Sequence, residues 1–364
     1  MASPDAPLSS VRIYVHLRGA DLAVSAGMRP SEIWYFLRHT DLPPANELPD
    51  WCVKVNVFSA ARRIFTTSPR SIEIPEPLWA RFLPTALFLL FVSRVARFFT
   101  GTPRLTVSYA LENNEAAQAL FGNSSVPRTI RSAFVWVLGI VVTPMLDRIA
   151  FGSSGAARTY GTIRTFRVKE RTTITALPSR PSAQCNETRT SEPPSALFVG
   201  GLEFRKGIQH VMDAWEVVES ELSEARITII GSGPLQEPVE TWAARRPQSR
   251  SYLGQVPYAQ LSAHYDAGHV LIAPSVRDGR WREQIGLQLR ESLARGLTVV
   301  ASDETGLADW LRENGHRVVP VTQLSKELPH AVVDGLLRPL EPSAVRASLP
   351  EIDGRVAADS WLHR

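Results

Sequence analysis

Two glutamates eight positions apart, Glu283 and Glu291, bound the segment Glu283-Gln284-Ile285-Gly286-Leu287-Gln288-Leu289-Arg290-Glu291. Carboxylates accept hydrogen bonds from hydroxyl groups, and eight positions along an α-helix advance about 12 Å. One carboxylate can therefore address a sugar while the other addresses a ribose, with a diphosphate between them. The segment follows a strand and loop reading, His269-Val270-Leu271-Ile272-Ala273-Pro274-Ser275. Gly286 and Leu287 are expected to open the helix that carries Glu291, and the unpaired N–H groups of such a start, with its positive dipole end, would seat a diphosphate. Ile285, Leu289 and Leu293 recur at four-residue spacing as the buried stripe, which leaves Glu291 on another face. The plainer alternative is two solvated carboxylates near a helix start, where the macrodipole favours negative charge.

Parting a sugar from a nucleotide diphosphate builds negative charge on the departing phosphate, and fixed donors and cations aimed there lower the barrier. A candidate source is Gly200-Gly201-Leu202-Glu203-Phe204-Arg205-Lys206-Gly207, which follows the strand Ala196–Val199 and places Arg205 and Lys206 at a strand's carboxyl edge. Only four of the 40 basic residues are lysine, so Lys206 departs from the chain's habit. A compact ammonium suits a point contact to phosphate. A second glycine turn, Gly231-Ser232-Gly233-Pro234, is superficially similar to a dinucleotide fingerprint, but it lacks the third glycine and the acidic residue on a following strand, so an NAD site is not expected. Pro234 reads instead as a helix-opening residue. Arg277, Arg280 and Arg282 precede Glu283 and are weaker phosphate candidates, being equally readable as an exposed basic loop.

The elements that must position these groups alternate regularly from residue 196 onward. Strands are expected at Ala196–Val199, Arg226–Ile230, Tyr252–Leu253, His269–Ala273, Leu297–Ala301 and Arg317–Val321, with helices near Ile208–Leu222, Tyr258–Ala267 and after Gly286. Such alternation implies a parallel, doubly wound sheet that binds ligands beyond the carboxyl ends of its strands. The first half repeats the theme less clearly, with strands at Val11–Leu17, Cys52–Phe58, Leu105–Tyr109, Arg148–Phe151 and Thr172–Leu177, and helical patterns at Leu83–Phe99 and Ile130–Leu146. The expected organisation is a first domain over 1–178, a Pro/Ser/Thr-rich linker over 179–195, a second domain over 196–340, and a tail over 341–364 that packs back on the first domain. Glu112 and Asn113 follow the strand Leu105–Tyr109 and are acceptor-side candidates, although Asn113-Asn114 before an alanine-rich run also reads as a helix cap. Ser153 and Ser154 invite the same two readings, with capping favoured.

Bulk properties narrow the classes. A chain of 364 residues with 44% apolar content is long enough for two cores. The net charge of +4 is no nucleic-acid-binding balance, and two cysteines, Cys52 and Cys185, make no disulfide framework, which favours a reducing cytoplasm. The start Met1-Ala2-Ser3-Pro4-Asp5 lacks a signal-peptide pattern. The apolar runs Ala86–Val92 and Ala133–Val142 are shorter than the roughly 20 residues of a spanning helix. Arg81–Phe99 has the basic amphipathic composition of a segment that rests on an anionic membrane surface, although a buried helix is the favoured reading.

The second half resembles the retaining glycosyltransferases of the GT-B fold, specifically glycosyltransferase family 4, over about residues 195–321. The resemblance rests on Val199-Gly200-Gly201-Leu202 with Lys206-Gly207, Gly231-Ser232-Gly233-Pro234, Leu253-Gly254-Gln255-Val256, Ala273-Pro274-Ser275, the paired glutamates, and Ser292-Leu293-Ala294-Arg295-Gly296-Leu297-Thr298-Val299-Val300-Ala301-Ser302. It implies an α/β fold of two facing Rossmann-like domains with parallel sheets, the second binding a nucleotide-sugar donor. It also implies roles: Lys206 on the diphosphate, with Arg205 as the accompanying cation because Gly201 stands where many relatives have arginine, Glu283 toward the sugar ring, and Glu291 on the ribose. Gly200, Gly201, Gly286 and Leu287 would complete the donor site. No metal or other cofactor is expected, and the partners implied are the nucleotide-sugar donor and a glycan or lipid-linked acceptor. A cytoplasmic location is expected, and the composition of Arg81–Phe99 leaves peripheral contact at the inner membrane face open. The acceptor domain is the weaker match, with Gly19 alone where relatives show a glycine-rich loop. A sugar-nucleotide epimerase of the same fold and a non-catalytic nucleotide-sugar-binding scaffold are the alternatives.

Overall fold

The computed structural model describes residues 10–39, 41–181 and 193–364, which fall into two compact units. The first comprises residues up to Thr175 together with Gly354–Arg364, and the second comprises Ala176–Asp353. Each is built on a parallel sheet, because its strands are short, mostly buried apolar runs separated by helical crossovers too long for hairpins.

In the first unit seven strands, β1 (Ser10–Leu17), β2 (Glu32–Arg38), β3 (Cys52–Lys54), β4 (Ser71–Glu73), β5 (Leu105–Ala110), β6 (Arg148–Phe151) and β7 (Glu170–Thr173), lie in the order β3-β2-β1-β4-β5-β6-β7. The strand expected at Cys52–Phe58 stops at Lys54. Asn56 ends it by accepting a hydrogen bond from Ser59 N at 2.8 Å, which caps the helix Val57–Thr66. Helices Val57–Thr66, Leu83–Thr100 and Arg128–Val142 share one hydrophobic core with the sheet, through Ile64, Leu89, Leu90, Val135, Leu138 and Val142. The opposite face carries the closing helix Gly354–Leu362, whose Ala358 and Leu362 pack with Val107 and Ala150.

In the second unit β8 (Ser195–Val199), β9 (Arg226–Ile230), β10 (Arg250–Tyr252), β11 (Val270–Ala273), β12 (Thr298–Ser302) and β13 (Arg317–Val319) lie in the order β10-β9-β8-β11-β12-β13. The order reverses between β8 and β11, which therefore form the topological switch point of this sheet. Ligands of open α/β sheets bind beyond the carboxyl ends of the strands at such a point.

The expected domain limits need adjustment. Residues 182–192 of the expected linker, with Cys185, lie outside the described residues. The stretch before them belongs to the second unit: Arg180 donates from its backbone N to Pro350 O and from its guanidinium to Ala347 O, both at 2.7 Å. The tail is likewise divided, since the helix Pro342–Ala347 stays with the second unit and only Gly354–Arg364 joins the first.

Candidate functional site

The loops after β8 and β11 meet at the switch point, and glycine makes their approach possible. Gly207 has φ 75° and lies against Pro274, where an added Cβ would stand 2.0 Å from the Pro274 carbonyl oxygen. A side chain there would push the two loops apart. Gly231, in the loop after β9, is as tightly placed against Gly200, whose carbonyl oxygen would stand 1.9 Å from a Cβ. The Gly231-Ser232-Gly233-Pro234 turn is thus a packing device that supports the Gly200 loop. Pro234 stands just before the N-cap Leu235 of the helix Gln236–Ala244 rather than within its first turn.

This approach brings Lys206 and Glu283 together. Lys206 Nζ donates to Glu283 Oε2 at 2.5 Å, with the lysine side chain 17% and the glutamate side chain 10% exposed. Ser275 Oγ donates to the same carboxylate oxygen at 3.1 Å. Beneath the ammonium lies Trp281, its ring centroid 5.1 Å from Lys206 Nζ and 4.5 Å from the Arg205 guanidinium carbon. Arg205 turns to Glu203, 2.6 Å from Nε to Oε2. Two cations therefore share one aromatic ring, each with its own carboxylate.

Glu283 sits in the loop and not on the helix, which runs from Leu287 to Ala294 with Gly286 as N-cap. The separation of the two glutamates is consequently not set by helical rise. Gly306 N fixes the loop by donating to Gln284 O at 2.7 Å and Glu283 O at 3.2 Å. Ile285, Leu289 and Leu293 are buried, and Leu287 is exposed at the helix start. No side chain caps the helix, so its first N–H groups present the positive end of the dipole at the Glu283 loop.

Glu291 faces the helix Tyr258–Ala267. Burial, followed by a hydrogen bond to Glu291, raises the Tyr258 phenol above its ordinary value. Burial, followed by the Glu291 charge, raises that of Tyr265 much further. Arg277 and Arg282 are held by Glu304, 5% exposed, at 3.4 and 2.6 Å. Trp281, Tyr265 and Glu304 had no signal in the sequence, because each contributes by contact across loops or helices.

In the first unit Glu112 and Asn113 occupy the loop after β5. Asn113 is buried, while Glu112 is partly exposed and accepts from Asn114 N at 2.8 Å. Asn114 accepts from Glu115 N, and the helix Ala116–Phe121 begins after Glu115 without a side-chain cap, so the capping reading of the asparagines fails. Ser153 does cap its helix, accepting from Ala156 N at 3.0 Å. Behind Glu112 lies Glu76, whose carboxylate accepts from Leu111 N, Glu112 N and Tyr160 Oη at 3.0 to 3.1 Å. Burial and then the neighbouring Glu112 push the Glu76 carboxyl up to about 7.

Glu73, Asp359 and His363 form the one cluster of buried metal-type ligands among the described residues. Arg355 and Arg12 already pair with its carboxylates at 2.6 Å each, so guanidinium groups provide the positive charge. The cluster anchors the closing helix and does not fit a cation.

Residues 193–337 match the family described as glycosyl transferases group 1. The match lies within the second unit, so the likeness to that family is carried by this unit alone. A sulfoquinovosyl transferase of Arabidopsis thaliana is 32% identical over 34% of this chain and 22% of its own length. A phosphatidyl-myo-inositol mannosyltransferase of Mycobacterium tuberculosis is 31% identical over 42% of this chain and 39% of its own. The chain thus spans about a fifth to two fifths of the curated relatives it matches. Solved structures extend the fold likeness to both units: Anabaena HepE in complex with UDP superimposes with TM-score 0.66 at 12% identity, covering 97% of this chain and 98% of that one. The apo galactosyltransferase WaaB of the lipopolysaccharide outer core gives 0.63 at 12% identity over the same shares. Two parallel-sheet α/β units are the GT-B fold.

Proposed function

We propose that the protein transfers a sugar from a nucleotide-diphosphate sugar to a glycan or lipid-linked acceptor, with retention of anomeric configuration. The observation that carries this reading is the meeting of Lys206 and Glu283 at the switch point of the second sheet, 2.5 Å apart, beside a helix start that no side chain caps. The ammonium of Lys206, with the N–H groups after Gly286, would stabilise the charge that grows on the departing diphosphate. Glu283, itself fixed by the Ser275 hydroxyl, holds that ammonium in place beforehand, so little reorganisation accompanies bond cleavage. Glu283 would then face the sugar ring, Glu291 would accept from ribose hydroxyls, and Arg205 would serve as the second cation. Glu112 remains the acceptor-side candidate. A lipid-linked acceptor is favoured by the mannosyltransferase relative, whose name specifies phosphatidyl-myo-inositol.

A thermal-shift comparison of UDP, GDP and ADP sugars tests the donor, because a ligand that binds only the native state raises its melting temperature. One nucleotide class should stabilise the protein, and Glu291→Ala should lose that shift. Stabilisation by none of them would overturn the reading, and isomerisation of the donor without a second substrate would mark an epimerase instead.

A further inference from the structure

Glu76 has no part in the donor site, yet both of its carboxyl oxygens are in use. It follows β4 in Ile74-Pro75-Glu76-Pro77, where a proline on either side stiffens the chain and biases Glu76 to an extended backbone. Its side chain reaches the loop after β5. Oε1 accepts from Leu111 N at 3.0 Å and Glu112 N at 3.1 Å, and Oε2 accepts from Glu112 N at 3.1 Å and Tyr160 Oη at 3.0 Å. Tyr160 is itself fixed: it is 1% exposed, its ring lies 5.4 Å from that of Phe151 and 5.0 Å from that of Phe166, and its Oη accepts from Leu78 N at 3.4 Å. Further along the loop Asn114 O accepts from Thr159 Oγ1 at 3.0 Å, on the helix Ser154–Thr162. The Leu111-Glu112 turn thus hangs on one buried side chain of a neighbouring loop.

A carboxyl group is a costly choice for that task. Two N–H groups are satisfied by any neutral acceptor, whereas a carboxyl 8% exposed beside Glu112 is disfavoured as an anion by burial and by like charge. Both effects favour a proton on Glu76, which leaves the negative charge of the pair on Glu112, its partly exposed member. A protonated Glu76 still offers its carbonyl oxygen to Leu111 N and Glu112 N, so reach rather than charge holds the turn. The placement of Glu112 then has two determinants: its backbone is fixed by Glu76, and its carboxylate by Asn114 N at 2.8 Å.

We propose that Glu76 is a positioning residue of the transfer reaction: by holding Leu111 N and Glu112 N it fixes where the Glu112 carboxylate stands to accept a hydrogen bond from the acceptor hydroxyl. The inference rests on the transfer reading, which puts Glu112 on the acceptor side.

Two variants separate reach from charge. E76D keeps the charge and withdraws the carboxyl by one methylene, whereas E76Q keeps an oxygen in reach and carries no charge. Site-resolved amide hydrogen exchange of the ligand-free chain should show Leu111 and Glu112 exchanging about tenfold faster in E76D and within about threefold of wild type in E76Q, with Val107 in β5 as the reference for global opening. The kinetic readout is release of nucleoside diphosphate from the donor that thermal shift selects, with water as the acceptor. In E76D kcat should fall about tenfold to a hundredfold at unchanged donor KM, and in E76Q by less than about threefold. E112Q should also lower kcat, and E76D/E112Q should be no slower than E112Q alone, because one residue acts through the other. Unchanged exchange or unchanged kcat in E76D, an E76Q as impaired as E76D, or losses that multiply in the double variant would each overturn the proposal. Absence of stabilisation by any nucleotide sugar would strike the transfer reading instead, and the exchange measurement, which needs no ligand, would still decide whether Glu76 holds the turn.

Discussion

Arg12 and Asp359, 347 positions apart, form a buried ion pair in which Arg12 Nη2 lies 2.6 Å from Asp359 Oδ1. The same carboxylate accepts from Arg29 N at 3.1 Å, so the closing helix is tied to the strand that starts the first sheet. Beside it Arg355 pairs with Glu73 at 2.6 Å. Burial alone would raise the Glu73 carboxyl, but Arg355 and His363 hold it well below the usual carboxylate range. Asp359→Ala leaves a guanidinium buried without its partner, and such a loss costs about 3–5 kcal/mol. Urea unfolding should show the first unit's transition displaced by that amount, and a displacement below about 1 kcal/mol would show that the helix is not anchored through this pair.

Lys206 is expected to matter for turnover more than for folding. Removing one preorganised electrostatic group from a developing oxyanion typically lowers kcat by about 10² to 10³. Lys206→Gln should fall in that range while its melting temperature drops only modestly, because Glu283 keeps the hydrogen bond from Ser275. Steady-state kinetics with the donor identified by thermal shift checks this, and turnover within threefold of wild type would remove Lys206 from the chemistry.

Glu291 has a spectroscopic signature independent of activity. Its carboxylate lies beside Tyr258, and negative charge there opposes formation of a phenolate. In Glu291→Gln the Tyr258 phenol should ionise at lower pH than in wild type, visible as an earlier rise at 295 nm in an alkaline titration. Nucleotide affinity should fall about tenfold to a hundredfold if ribose hydroxyls lose a charged acceptor. Identical titration curves in the two proteins would mean that Glu291 does not face Tyr258 in solution.

The second unit was legible because its strands are nearly uninterrupted apolar runs. Arg226–Ile230 and the helix Tyr258–Ala267 have the bounds that the pattern predicts. In the first unit Cys52-Val53-Lys54-Val55-Asn56-Val57-Phe58 alternates like one strand, yet the cap at Asn56 turns its second half into a helix. The strand β4, three residues long, leaves no periodicity to read. At the site, glycines and charged residues at strand ends pointed to Lys206, Glu283 and Glu291. Trp281 and Glu304 were invisible because their roles arise from contacts that only folding creates.

Trp281 tests how far the shared ring organises the two cations. Arg205 and Lys206 lie 4.5 and 5.1 Å from its centroid, and contacts of this kind are worth about 0.5–2 kcal/mol according to solvation. Trp281→Leu keeps apolar bulk and removes the aromatic face. The variant should melt a few degrees lower and bind the nucleotide about threefold to thirtyfold more weakly, as calorimetric titration would measure. Unchanged affinity would indicate that Glu283 and Glu203 alone fix the cations.

Glu76 gives the first unit a pH dependence whose sign is unusual for a carboxyl group. Its value rises from the ordinary 4.5 to about 7 on folding, through burial first and the Glu112 charge second. Between these limits the native state keeps a proton that the unfolded chain has released. Stability from this group is therefore full below about pH 4.5, declines as pH rises through the window, and levels off above pH 7, a change of about 3 kcal/mol. Glu76→Gln stays neutral throughout and removes this slope, whatever constant offset arises from replacing one oxygen that accepts from Leu111 N, Glu112 N or Tyr160. Urea unfolding at pH 5 and pH 8 should show the variant gaining about 2–3 kcal/mol on wild type between the two, most of the full change. A difference that stays constant with pH would mean that Glu76 is already ionised in the folded protein at pH 5, held by its two backbone donors and Tyr160 more strongly than burial and Glu112 oppose it.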